Sequence, residues 1–87
     1  MEKHEHTGAV LNRLSRASGH LNAVKKMVED GRDCSEILIQ LAAVRSEITN
    51  TGKIILKDHL DHCVINAVRE NDEDAITYLK KAIDKLL

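Results

Sequence analysis

Two cysteines and one histidine are the residues of this chain best suited to hold a metal ion. Cys34 lies in the first half of the sequence, and His59 and Cys63 follow four residues apart in the second half. Thiolate sulfur is a soft ligand that selects Cu(I), with zinc as a competitor, and imidazole is compatible with either ion. Two thiolates and one imidazole suit trigonal Cu(I), whereas structural zinc takes a fourth ligand. We therefore predict a metal site built from these three side chains.

The spacing of the three residues decides how many chains the site needs. Apolar residues at helical intervals predict one long helix over about residues 34–68, on which His59 and Cys63 share a face one turn apart. Cys34 then lies about 37 Å from His59, because an α-helix rises ~1.5 Å per residue. A site that uses all three residues needs Cys34 from a second chain running antiparallel to the first.

Other histidines leave alternative ligand sets open. His4 and His6, in a charged leader over residues 1–6, or a carboxylate, would supply the fourth ligand that zinc requires. His62 points about 100° away from Cys63 around the helix and is a poor candidate for the same ion. The spacing of His59 and Cys63 alone is a weak signal, and without Cys34 we would interpret His59 as a polar residue on a solvated helix end.

The elements that position these residues are predicted to be three helices in a single domain over residues 1–87, an all-α fold. Helix 1 is expected over about residues 7–30 and helix 3 over about 72–86, each with apolar residues at intervals of three and four. Gly31 is a suitable left-handed residue after helix 1, and Asp33 a suitable N-cap for helix 2, with Glu36 completing a capping box. Asn71 or Asp72 is expected to cap helix 3, and Gly52 marks a potential local break in helix 2.

Composition limits the classes of function. The 13 Lys and Arg residues against 14 Asp and Glu residues give a net charge of −1, so a contact with DNA would need a local basic patch. No apolar run reaches the ~18 residues of a membrane span, and the polar N-terminus is no signal peptide, so we expect a cytoplasmic protein. Tyr78 is the one aromatic residue, and a thin core of this kind usually requires a partner subunit. Nothing resembles a nucleophile with an adjacent base, so we expect no enzyme.

The sequence as a whole resembles a known family. The stretch GRDCSEILIQLAAVRSEI, followed by DHLDHCV, is similar to the copper-sensitive operon repressor family of all-helical transcriptional repressors, over about residues 11–86. The resemblance implies that the first cysteine comes from one protomer and the histidine and second cysteine from its partner. It also implies an antiparallel dimer that forms a four-helix bundle, and a dimer of dimers. By position, Cys34, His59 and Cys63 match the three Cu(I) ligands of the copper branch.

Two positions separate the branches of that family. Nickel and cobalt sensors carry histidine where Cys63 stands and use an N-terminal histidine, a part that His4 or His6 would take here. Persulfide sensors keep both cysteines but lack the histidine, and formaldehyde sensors lack the second cysteine. The presence of all three residues favours copper, and nickel, cobalt or zinc binding stays open.

The resemblance also indicates the DNA contacts. Members of the family lack a helix-turn-helix and present basic residues on the outer faces of helices 1 and 2. This chain has His20 where glutamine is common and Asn22 where arginine is common, which removes one expected positive charge. The stretches NRLSRASGH and AVRSE resemble the family's signatures, and the predicted contacts are Arg13, Arg16 and Arg45, with Lys25, Lys26 and Lys53 behind them.

The function expected from this resemblance is repression controlled by copper. The apo protein would bind operator DNA, and Cu(I) held across the dimer interface would weaken that binding. The alternatives are a redox or persulfide repressor that links Cys34 of one chain to Cys63 of another, a nickel or cobalt sensor, and a helical interaction or copper-buffering protein without a DNA role.

Overall fold

Helices account for most of the chain that the computed structural model describes, which is residues 7–59 and 65–87. They are α1 (Thr7–Glu29), α2 (Cys34–His59), α3 (Ile65–Arg69) and α4 (Glu73–Leu86). These two ranges contain no strand, and the all-α prediction is confirmed. The predicted leader lies outside the described residues, and so do residues 60–64, which the predicted helix over 34–68 would cross. The count of three helices therefore stays a prediction.

A tight turn joins α1 to α2. Gly31 has a φ of 70°, and the amide of Arg32 donates to the carbonyl of Met27 at 3.0 Å while the amide of Gly31 donates to Val28 at 3.1 Å. This pair of bonds is the Schellman motif, which uses a left-handed residue to satisfy the last carbonyls of a helix. Gly31 adopts that conformation at little steric cost because it lacks a Cβ. The turn reverses the chain and lays α2 antiparallel to α1.

The start of α2 is held by its own side chains. The Asp33 carboxylate accepts a hydrogen bond from the amide of Ser35 at 3.1 Å, as an N-cap residue does. Glu36 does not follow the simple capping-box expectation, because its carboxylate accepts two bonds from the guanidinium of Arg32, at 3.1 and 2.8 Å. These contacts place Cys34 in the first turn of α2, where it is exposed.

The turn between α3 and α4 repeats the first one with a different residue. Asn71 has a φ of 56°, and the amide of Asp72 donates to the carbonyl of Ala67 at 2.8 Å. Asparagine is one of the few residues besides glycine that enters the left-handed region readily. Asp72 then caps α4, accepting a hydrogen bond from the amide of Ala75 at 3.1 Å.

The end of α4 approaches the middle of α2 at Gly52. The second helix continues through Gly52 without the predicted break, and a Cβ added there would collide with the methyl groups of Leu86. The missing side chain therefore creates the space that Leu86 occupies. Apolar residues of both helices surround this contact: Ile55, Leu56, Leu79, Ala82 and Ile83.

A single chain buries little of its apolar surface. The molecule measures 54 × 25 × 15 Å, so its shortest dimension is close to the ~10–12 Å diameter of one helix. Within the described residues, none of the helices is both long and apolar enough to span a membrane. Among the residues whose burial the structure describes, the buried ones are Ala17 and Val24 on α1 and Val44, Thr51 and Asp58 on α2. Many large apolar residues stay exposed, among them Leu11, Leu14, Leu21, Leu38, Ile39, Leu41, Ile48 and Ile55.

Candidate metal site and DNA-binding surface

Cys34 and His59 lie at the two ends of α2. Cys34 is its first residue and His59 its last, and the 26 residues from Cys34 to His59 form one continuous helix. At ~1.5 Å per residue the two backbone positions are about 37 Å apart. One chain therefore cannot bring Cys34 and His59 to the same ion, and a site that uses both needs two chains.

The described part of one chain does not contain the whole predicted ligand set. Cys34 is an exposed free thiol, whereas Cys63 lies in residues 60–64, outside the described residues, as do His4, His6 and His62. The described ranges hold no group of three His, Cys, Asp or Glu residues that would bind a metal. The donor chemistry of Cys34, His59 and Cys63 fits a soft monovalent ion, and their assignment as ligands stays a prediction.

The arginines predicted to contact DNA border a cleft between α1 and α2, which we call the arginine pocket. Arg13 and Arg16 lie on one face of α1, three residues apart and both exposed. They line a cavity of about 170 Å³ together with Glu47, Asn50 and Thr51 of α2. The hydroxyl of Thr51 donates to the carbonyl of Glu47 at 2.8 Å, so that its polar atom is satisfied although the residue is buried. The pocket combines two guanidinium groups with one carboxylate.

A second cleft contains the predicted basic residues of α2. Arg45 and Lys53 are exposed and line an open groove with Ser46, Thr49 and Asn50, which the end of α4 borders. Because Asn50 lines both clefts, the arginine pocket and this groove are neighbours. The structure therefore brings Arg13, Arg16, Arg45 and Lys53 to adjoining parts of one surface. Lys25 and Lys26 are exposed on α1 but line neither cleft.

His20 makes the polar contact between α1 and α2 that sequence analysis did not predict. Its Nδ1 lies 3.0 Å from Oε1 of Glu47, and its Nε2 lies 2.8 Å from Oε1 of Gln40. The hydrogen bond to Gln40, together with the bond and charge of Glu47, raises the pKa of His20 above its usual 6.5. Gln40 and Glu47 are seven residues apart and so share a face of α2, which was the signal available in the sequence.

Comparison with known protein families gives a match over nearly the whole chain. The model of a family described as metal-sensitive transcriptional repressors matches residues 6–85. Among curated proteins, the copper-sensing transcriptional repressor CsoR of Bacillus subtilis (strain 168) is 38% identical over 77 residues, covering 87% of this chain and 76% of the relative. The CsoR of Mycobacterium ulcerans (strain Agy99) is 35% identical over 79 residues, covering 91% of this chain and 62% of that protein.

Two solved structures are similar to this fold. The copper-sensing repressor CsoR with Cu(I) from Geobacillus thermodenitrificans NG80-2 gives a TM-score of 0.85 at 34% identity, covering 98% of this chain and 90% of the other. The nickel-responsive transcriptional regulator InrS gives a TM-score of 0.76 at 40% identity, covering 100% and 99%. Sensors named for copper and for nickel thus both lie close to this chain.

Proposed function

Because the chain belongs to the family of metal-sensitive transcriptional repressors, we propose that it is a Cu(I)-responsive repressor. In this proposal the apo protein binds operator DNA and releases it when Cu(I) binds across a dimer interface. The observation that carries the proposal is the position of Cys34 and His59 at opposite ends of one continuous helix. Ligands so far apart make the metal site a connection between two chains. The similarity to copper-sensing repressors supports the choice of metal.

The site would take Cys34 from one protomer and His59 and Cys63 from the other. Cys34 is exposed in the first turn of α2, where a second chain can approach it. Two thiolates and an imidazole are donors that prefer Cu(I) over the hard divalent cations, and Cu(I) would supply short bonds that join the chains. Because these donors are drawn from two protomers, metal binding would favour one relative arrangement of α2 and its partner helix.

The exposed apolar face of the helix pair supports an oligomer. Leu38 and Ile39 are 63% and 66% exposed, and Leu41 and Ile48 are each 45% exposed. Such apolar surface is stabilised when a partner removes it from water, at about 25 cal/mol per Å². We propose that the α1–α2 pairs of two chains pack antiparallel as a four-helix bundle, and that two such dimers form a tetramer.

The DNA surface would consist of the arginine pocket and the neighbouring groove. Arg13, Arg16, Arg45 and Lys53 contribute four positive charges to adjoining clefts, although the whole chain has a net charge of −1. Local charge of this kind contacts phosphates without a helix-turn-helix. The metal and the DNA would oppose each other through a coupling free energy of typically ~1–3 kcal/mol, which is reciprocal, so that DNA weakens Cu(I) binding by the same factor. This regulatory role involves no catalysed reaction.

The experiment is an anaerobic titration of the reduced protein with Cu(I) against a competing chelator, followed by DNA binding with and without the metal. The DNA is a fragment from upstream of its own gene, and the variants are Cys34→Ala, His59→Ala and Cys63→Ala, with His62→Ala as the matched control. We expect one Cu(I) per protomer and a loss of DNA affinity of about 5- to 150-fold on metal binding. His59→Ala should retain some Cu(I) through the two cysteines but lose most of this release.

Full copper-dependent release of DNA by His59→Ala would contradict the proposal. Weak Cu(I) uptake, or uptake indifferent to His59, would favour the alternative in which Cys34 and Cys63 form a redox or persulfide switch. If the apo protein failed to bind the upstream DNA at low salt, the result would favour the alternative of a helical interaction or copper-buffering protein without a DNA role.

Nickel is the second candidate effector, because the nickel-responsive regulator InrS aligns with 100% of this chain at 40% identity. His4 or His6 would then join Cys34 and His59 in the ligand set. The same DNA-binding assay with Ni²⁺ separates the two functions. Release of DNA by Ni²⁺ at lower free metal than by Cu(I), lost in the His4→Ala/His6→Ala double variant, would favour nickel.

A further inference from the structure

His20 connects α1 to α2 through both nitrogens of its ring. The two contacts, to Oε1 of Gln40 at 2.8 Å and to Oε1 of Glu47 at 3.0 Å, put an oxygen beside each nitrogen. A neutral imidazole has one N–H and donates to one of these oxygens, whereas the imidazolium donates to both. When the ring loses its proton, one of these two donated bonds is lost, and so is the positive charge beside Glu47.

Glu47 both contacts His20 and lines the arginine pocket. One of its carboxylate oxygens lies against His20, and the other, Oε2, is buried with no hydrogen-bond partner among the described residues. Glu47 also lines the cavity of Arg13 and Arg16. A carboxylate in this position attracts the guanidinium groups and repels an entering phosphate, which weakens the same electrostatic contact that DNA requires.

The charged groups around His20 on the two helices that pack there are few. On α2 the carboxylate of Glu47 faces it. On α1 the charges of Arg13 and Arg16, seven and four residues before it in sequence, line the cavity that Glu47 also lines. Asn50 and Thr51, which complete the lining, are neutral. The charged groups that line the pocket, two arginines and one carboxylate, give a balance of +1. A proton on His20, which lies outside this lining, offsets the charge of the carboxylate.

We propose that His20 and Glu47 are positioning residues for the arginine pocket: protonated His20 holds Glu47 and offsets its charge, which strengthens the binding of DNA phosphate by Arg13 and Arg16. The proposal rests on the proposed DNA-binding function and adds a proton as a second input, independent of the metal.

The direction of the pH effect follows from the contacts. The bonds to Gln40 and Glu47 raise the pKa of His20 above 6.5, so the ring keeps its proton to a higher pH than an ordinary histidine does and loses it as the pH rises further. DNA affinity is therefore highest at the acidic end and falls as the pH rises. Because proton binding and DNA binding are linked, DNA that binds protonated His20 more tightly also raises the pKa of His20 further. Each pKa unit of that rise corresponds to about a tenfold difference in DNA affinity between the two protonation states.

The test is the pH profile of DNA binding by the reduced, metal-free full chain, measured by fluorescence anisotropy with the upstream fragment at constant ionic strength. The range is about pH 5.5 to 8.5, which spans histidine titration. The variants are His20→Gln and Glu47→Gln, and His62→Gln is the control for the other histidines. We expect the DNA affinity of the wild-type protein and of the control to fall from the lowest to the highest pH of this range. This fall should be about tenfold larger than the fall in the DNA affinity of His20→Gln over the same range. Glu47→Gln should bind at the high pH as tightly as the wild type does at the low pH.

Two results would overturn the pairing of His20 with Glu47. One is a His20→Gln profile as steep as that of the wild type, and the other is a Glu47→Gln affinity below the wild type at every pH. Circular dichroism checks that each variant is folded, and either variant alone tests the proposal. A wild-type protein that binds DNA and releases it with Cu(I), but with no pH effect, contradicts this inference alone. Absence of DNA binding at any pH contradicts the proposed function as well.

Discussion

At the scale of single residues, His20 has a consequence for stability that does not depend on DNA. Its hydrogen bonds to Gln40 and Glu47 raise its pKa above the value of 6.5 that it has in the unfolded chain. A group whose pKa is raised by folding adds stability that is complete below its unfolded pKa and is lost as the pH rises through its folded pKa. His20 therefore stabilises the α1–α2 pair most at acidic pH.

We predict that the Tm of the wild-type apo protein exceeds that of His20→Gln by most at about pH 5.5 and that the gap narrows toward about pH 8.5. Thermal unfolding of both proteins, followed by circular dichroism across this range, measures the gap. His62→Gln serves as the comparison that removes a different histidine. A gap that stays constant with pH would mean that His20 acts through packing and not through its charge.

The residues that end or begin helices could be predicted from the sequence, and His20 could not. Gly31, Asp33 and Asp72 act on amides or carbonyls within a few residues of themselves, so that local chemistry is sufficient to assign them. The partners of His20 are 20 and 27 residues away, and pairing them requires the register of α1 against α2. The side-chain volumes that set this register are not visible in a hydrophobic pattern.

At the scale of elements, the periodicity of apolar residues predicted an all-α chain, and the described residues are helical with no strand. The predicted helix over residues 34–68 stays a prediction, because residues 60–64 lie outside the described ranges. The periodicity was not enough to decide what happens at Gly52. Glycine costs about 1 kcal/mol in a helix interior relative to alanine, which suggested a break, yet α2 continues through it. The reason lies in α4, because Leu86 occupies the space that a side chain at Gly52 would fill.

We predict that the effect of Gly52→Ala on the free energy of unfolding changes sign when Leu86 is replaced by alanine. In the wild type the new methyl group displaces Leu86, and the overpacking cost of ~1–3 kcal/mol matches or exceeds the helix-propensity gain of ~1 kcal/mol. In a Leu86→Ala background the clash is removed, and Gly52→Ala should stabilise by about 1 kcal/mol.

Urea unfolding of the wild type, both single variants and the double variant at one protein concentration measures this coupling as a double-mutant cycle. Gly19→Ala, at a glycine in the interior of α1 with open space around it, is the control for the effect of a methyl group on helix propensity. Additive effects of Gly52→Ala and Leu86→Ala would mean that the two residues do not touch in solution.

At the scale of the whole molecule, one protomer is incomplete in two respects. It leaves a wide apolar face exposed, and its α2 separates Cys34 from His59 by the full length of the helix. The sequence indicated both features, through the thin core and the spacing of the ligands. It could not supply the geometry around Cys63, which lies outside the described residues, and the arrangement of the protomers stays a proposal.

We predict that two inactive variants restore each other's metal site. In a homodimer of Cys34→Ala or of Cys63→Ala, both proposed Cu(I) sites lack one cysteine ligand. A mixed dimer combines Cys34 of the second variant with His59 and Cys63 of the first, and so contains one complete site. After subunit exchange in mild denaturant, random pairing of equal amounts gives about one tight Cu(I) site per four chains.

Competition with a Cu(I) chelator before and after exchange measures this restoration. The control mixture pairs Cys34→Ala with the Cys34→Ala/Cys63→Ala double variant, in which no combination provides both cysteines from the required chains. A mixture that binds Cu(I) no better than its separate components would contradict a site shared between protomers.

The short turn at Gly31 also sets the order in which the molecule assembles. Because only residues 30–33 separate α1 from α2, the contacts next to this turn join parts of the chain that are close in sequence, and such contacts form quickly. The hairpin can therefore close as soon as α2 has been synthesised. In the proposed dimer, the exposed apolar face of this hairpin is covered when a second chain binds, a step whose rate depends on concentration. The slow event in the assembly of such a dimer is the meeting of two chains, and its rate rises with the level at which the gene is expressed.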